Sequence, residues 1–135
     1  MTMQQSQLSA PPGWEGSLPE YLVYRSLTES FGKIEGVDFT YQSSLLGGRL
    51  FKGGVVLDFL FNNPPDLAIN VQGEYYHYGM GVTFLQNDIL VRQQMAGDGI
   101  NLIFIDENDI LNDFDYYVRE ALNYKDHSRL GAGGR

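Results

Sequence analysis

Two apolar runs, Val55-Val56-Leu57-Asp58-Phe59-Leu60-Phe61 and Leu67-Ala68-Ile69-Asn70-Val71-Gln72, are joined only by Asn62-Asn63-Pro64-Pro65-Asp66. Each run is short, rich in β-branched and aromatic residues and bounded by turn chemistry, so each reads as a strand. A connection this short cannot form a parallel crossover, which takes a dozen or more residues. The two strands must therefore pair antiparallel, and the rest of the chain has to be arranged around that hairpin.

Upstream, Ser17-Leu18-Pro19-Glu20 has the composition of a helix start: a capping hydroxyl, then Pro and an acid in the first turn. Leu22, Val23, Leu27 and Phe31 follow at helical spacing until Gly32 stops the run. Val37 to Gln42 alternates like a strand, and residues 45–54 are a Gly-rich, hairpin-like excursion carrying Arg49 and Lys52. Downstream, residues 83–96 suit a helix closed by Gly97 and Gly99. Asn101 to Ile105 is apolar after its first residue, the pattern of a central strand. Asn108 then caps a helix with Ile110, Leu111, Phe114, Val118 and Leu122 on one side. The order α-β-β-β-α-β-α predicts an α/β (α+β) domain with a mixed central β-sheet flanked by helices. Residues 18–126 are expected to form that domain, between a flexible arm (1–17, with Pro11-Pro12-Gly13 and the single Trp14) and a flexible Gly-rich tail (127–135).

The 135 residues suit one domain with one core, and 43% hydrophobic content excludes a disordered chain. No apolar run approaches the ~20 residues of a membrane span, so no membrane association is expected. Without cysteine there is no disulfide, thiolate nucleophile or Cys-ligated zinc; with no signal-like N-terminus this suggests a cytoplasmic protein. The net charge of −8 opposes a free-standing, tight, non-specific binder of nucleic acid. The acids are uneven, however. Residues 101–126 hold seven against Arg119 and Lys125, whereas residues 20–60 hold five against Arg25, Lys33, Arg49 and Lys52.

Asp58 is the most informative single residue. An ionised carboxylate inside a Val/Leu/Phe strand costs several kcal/mol unless a metal or cation pairs with it. By strict alternation Val55, Leu57, Phe59 and Phe61 would share one face, with Val56 and Leu60 on the face of Asp58, so both faces are apolar around it. The bland alternative is a carboxylate pointing to solvent. Asn70 and Gln72 share a face of the next strand, so the hairpin would gather Asp58, Asn70 and Gln72, with the Val71 carbonyl as a further oxygen. Such oxygens could hold Mg²⁺, or Mn²⁺, weakly; alternatively they are the polar end of a sheet, satisfied by its own hydrogen bonds. His77, in Glu74-Tyr75-Tyr76-His77-Tyr78 just beyond, is a candidate general acid or base, or a packing residue. Asp88 and Arg92 are four apart on the following helix, an ordinary surface pair unless Arg92 meets a phosphate.

The ordered set of Pro19-Glu20, Val37-Asp38-Phe39 with Gln42, VVLDF, LAINVQGEYYH, Asp88…Arg92 and INLIFID resembles the PD-(D/E)xK nuclease superfamily. Within it the likeness is to the very-short-patch mismatch-repair endonuclease type and its small phage- and bacterium-encoded relatives, over residues 19–122. The resemblance implies a restriction-endonuclease-like fold and a Mg²⁺-dependent endodeoxyribonuclease. Asp58 would be the metal carboxylate, Glu20 the acid of the first helix, Val71 the carbonyl ligand and His77 the base or phosphate contact. The chain departs from the pattern in carrying Asn70 and Gln72 where the superfamily has an acid followed by Lys or a second acid.

Two functions follow. In the first, the chain hydrolyses DNA phosphodiester bonds: Asp58, Val71 and Asn70 hold the metal, Gln72 positions water, Glu20 and His77 assist, and Arg49, Lys52 and Arg92 contact phosphate. In the second, the same fold is catalytically inactive and serves a phage or mobile element as a binding or virion-assembly component, with a protein partner or a second copy. The exposed-looking Tyr75, Tyr76 and Tyr78 suit the latter, which would make the protein virion-associated.

Overall fold

The computed structural model describes residues 9–42, 49–50, 56–73 and 82–129, with backbone alone at 49–50 and 82–88. Helix α1 spans Leu18–Arg25, and its Ser17 cap accepts the Glu20 N–H through Oγ at 3.2 Å. A wider π-turn, Ser26–Ser30, continues it. The hydroxyls of Ser26 and Ser30 both donate to Asp115 Oδ1, at 2.7 and 2.8 Å, tying this turn to the last helix. Gly32, at φ +66°, reverses the chain where other residues are strained, and the Lys33 N–H closes the end on the Leu27 carbonyl.

The strands are β1 (Phe39–Tyr41), β2 (Arg49–Leu50), β3 (Val56–Leu57), β4 (Phe59–Phe61), β5 (Leu67–Gln72) and β6 (Asn101–Asp106). Helices α2 (Val82–Gly97) and α3 (Glu107–Leu122) flank β6 in sequence. The main sheet has the order β1-β4-β5-β6, and β2 and β3 pair separately. As the short connection requires, β4 and β5 are antiparallel, with Phe59 opposite Ile69 and Leu60 opposite Ala68. β5 and β6 are parallel, joined through α2. This is the mixed sheet flanked by helices expected of an α/β (α+β) chain.

Two apolar clusters occupy the two faces of the sheet. Leu22, Val23, Leu27, Phe39, Phe59, Phe61, Ile69, Ile103, Ile105, Ile110 and Val118 pack between the sheet and the α1/α3 layer. Leu57, Ala68, Met95, Ile100, Leu102 and Phe104 fill the opposite side under α2. Burial on both faces explains the unbroken apolar run in β6, yet β6 is an edge of this sheet, not its centre as its composition predicted. The C-terminal segment covers its outer side: Asp126 Oδ2 accepts the Phe104 N–H at 2.8 Å, and Asp106 Oδ2 accepts the Arg129 N–H at 3.1 Å. Side-chain carboxylates thus take the place of a neighbouring strand. α3 starts at Glu107 with Asp106, not Asn108, at its cap position, and bends at Asp113, whose Oδ1 accepts the Tyr116 N–H.

Candidate functional site

Asp58 stands at the interruption between β3 and β4, 3% exposed. The alternation expected of residues 55–61 is broken there. Leu57 belongs to the cluster under α2, whereas Phe59, two residues on, belongs to the opposite cluster. A strand without a kink would place both on one side. The polar groups repair the kink. Asp58 Oδ2 accepts the Val71 N–H at 2.9 Å, and the Asp58 N–H donates to Asn70 Oδ1 at 2.8 Å. Asn70 Nδ2 reaches back to the Val56 carbonyl at 3.1 Å, and the Asp58 carbonyl accepts the Gln42 N–H at 3.1 Å. Side chains therefore stitch β3/β4 to β5 where their backbones part. Asp58, Asn70 and Val71 do come together, although Val71 meets the carboxylate through its N–H and not its carbonyl.

Gln72 is 1% exposed at the end of β5, in register with Asp106 on the parallel neighbour β6. Parallel neighbours in register share a face, so Gln72, Asp106 and Asn70 lie on one side of the sheet. A Cβ built on Gly73 would lie 3.7 Å from Glu107 Oε1. The buried Asp106 and the adjacent Glu107 are thus two acids at the carboxyl ends of parallel strands, where open α/β sheets place their ligands. In the sequence Glu107 stands out only as charge, and Asp106 as charge and as the last residue of the INLIFID run. Their signal was an acid pair directly ending an apolar strand.

Glu20 is also 3% exposed. Its Oε1 accepts the Tyr41 hydroxyl at 2.6 Å, and Tyr41 pairs with Phe59, the residue after Asp58. The rings of Tyr41 and Phe59 are 4.8 Å apart. Glu20 is thus linked through Tyr41 to Phe59, the residue that follows Asp58 in the chain.

The remaining candidates divide. Arg92 lies along the outer edge of β6, 3.5 Å from Asp126 and with its guanidinium 5.7 Å from the centre of the Phe104 ring. It lines a cleft of about 310 Å³ with Ile100, Leu102 and Tyr124. His77, Lys52, Glu74, Tyr75, Tyr76 and Tyr78 lie outside the described residues, as do the side chains of Arg49 and Asp88. Among the described residues no group of three or more His, Asp or Glu is arranged to hold a metal ion, and no helix is long and apolar enough to cross a membrane.

No family model matches this chain, and no curated protein or solved structure does.

Proposed function

We propose that the protein is a metal-dependent endonuclease-like hydrolase of DNA phosphodiester bonds, its site centred on Asp58. The observation that supports this most is a buried carboxylate at the point where two antiparallel strands part, bonded to the backbone of the strand that carries Asn70 and Gln72. The donors suit a weakly held Mg²⁺ or Mn²⁺: the hard oxygens of Asp58, helped by the neutral oxygens of Gln72 and Val71. When bound, the metal would supply a Lewis acid and a water activated for attack on phosphorus. Asp58 would anchor it, Gln72 would orient the water and Glu20 would hold a proton of that water. His77 is assigned the general acid or base role on its place in the sequence. Asn70, engaged with backbone at both ends of its amide, keeps Asp58 in position.

That same engagement favours a second reading. With an amide stitching the strands where the nuclease pattern has an acid, the fold would serve for binding or assembly without cleavage.

A plasmid-nicking assay across Mg²⁺ and Mn²⁺, with calorimetry of metal binding, separates the two. Asp58→Asn keeps an oxygen for the Val71 N–H but removes the charge, so it should abolish nicking while retaining the fold. Nicking that survives in Asp58→Asn would overturn the assignment. A wild type that neither cuts nor binds metal, with both gained in Asn70→Asp, would establish the second reading.

A further inference from the structure

The segment before α1 is built to sit on Glu20. Pro11-Pro12-Gly13-Trp14 forms a tight turn, closed by the Trp14 N–H on the Pro11 carbonyl at 3.1 Å, with Gly13 at φ +87°. Proline followed by a residue of positive φ is the composition of a type II turn. The turn delivers the indole of Trp14 onto three rings: stacked on Tyr41 at 5.1 Å, and angled to Tyr21 and Tyr24 at 5.2 and 5.3 Å. The indole N–H donates to the Ser17 carbonyl at 3.2 Å. Gly16 then passes so close to the site that a Cβ there would lie 3.0 Å from Glu20 Oε1 and would collide with the Tyr41 hydroxyl. Trp14 thereby presses on the ring whose hydroxyl occupies Glu20, and Gly16 covers the carboxylate itself.

We propose that residues 9–17 are a cover that regulates the site: Glu20 takes part in metal binding only when this segment lifts and Tyr41 releases it. The inference rests on the hydrolase reading above, in which Glu20 serves the metal-bound water. The turn, the aromatic stack and the close passage of Gly16 hold the cover closed.

The intact protein carries its own reporter, since Trp14 is the only tryptophan in the chain. Tryptophan emission and acrylamide quenching report whether the segment is seated, and calorimetry with Mn²⁺ alone reports the site. Gly16→Ala should shift the emission to the red and raise quenching. Both Gly16→Ala and Trp14→Ala should bind Mn²⁺ about tenfold more tightly than wild type, the scale set by losing a few aromatic contacts. The gain should vanish when Glu20→Gln is added to either, which mere loosening of the fold would not produce. If circular dichroism finds Gly16→Ala unfolded, Trp14→Ala carries the same comparison. Equal Mn²⁺ affinity in wild type and the uncovered variants, still dependent on Asp58, would overturn the cover and leave the hydrolase reading standing. Absence of Mn²⁺ binding in every variant, Asn70→Asp included, would overturn both.

Discussion

At residue scale, Asp58 and Asn70 form the polar pair that holds the kinked strand to β5, at the place where the proposed site is centred. Asn70→Ala would leave the buried Asp58 N–H without its acceptor and strip the Val56 carbonyl of its donor. Loss of about 1–3 kcal/mol is expected, measured by urea unfolding. Asn70→Asp keeps the acceptor and loses only the bond to Val56, which is on an exposed residue, so it should cost less and gain metal affinity. The gathering of these residues was legible from the hairpin, because a short connection forces antiparallel pairing. Their exact bonding was not, because alternation assumes a regular strand and the kink at Asp58 moves Leu57 to the other face. Tyr24 gives a second test. Its hydroxyl donates to Glu35 at 2.7 Å, and that bond, with partial burial and the charge of Glu35, pushes its pKa up to about 12. A raised value means that the contact stabilises fully below the ordinary tyrosine value of 10.0 and is lost as pH rises through about 12. Absorbance titration should find one tyrosine ionising late, and Glu35→Gln should bring it down.

At the scale of elements, the segment after α3 acts as a strap along β6. Tyr124 donates to Asp66 near one end of the strand, Asp126 caps Phe104 in the middle, and Arg129 reaches Asp106 at the other end. His127 holds the strap to α3, its Nε2 2.9 Å from Glu120 Oε1. That bond is the main reason why the Glu120 carboxyl lies below its ordinary value, with the charges of Lys125, His127 and Arg119 adding to it and burial opposing. A depressed value means that the clamp's contribution is present above the unfolded glutamate value and is lost as pH falls through the folded one. Melting temperatures followed down from pH 6 should therefore fall less steeply in His127→Ala than in wild type. An unchanged slope would show that the strap is held elsewhere. The strap also explains why β6 resembled a central strand. Composition reports burial, and burial here comes from two helical layers plus a segment whose edge bonds are made by side chains. By contrast, α1 was readable to its cap, since Ser17, Pro19 and Glu20 each satisfy a local requirement of a helix start that tertiary packing did not override.

At the scale of the whole molecule, net charge and the placement of cations limit how the protein could meet DNA. The chain carries −8, and α3 alone displays Glu107, Asp109, Asp113, Asp115 and Glu120. Of the three cations that the proposed function gives to phosphate, Arg92 is engaged with Asp126 and Phe104 at the outer edge of β6, so under that proposal the contact falls to Arg49 and Lys52. Each phosphate neutralised on duplex DNA contributes a slope of about −0.9 to the dependence of log affinity on log salt. Two such contacts imply a slope near −2, far shallower than that of a protein with a basic face. Screening of the repulsion from α3 flattens it further. Fluorescence anisotropy with a short duplex, in Ca²⁺ to prevent cleavage, should therefore give weak binding that changes only modestly between 50 and 200 mM salt (about twentyfold at most). Arg92→Ala should leave that slope unaltered while lowering stability, because its contacts are to the strap and to β6. Lys52→Ala should reduce the slope by about one unit. A slope of about −6 or steeper would mean that the phosphate-binding surface is assembled from several copies of the chain or supplied by a partner, since two cations cannot produce it.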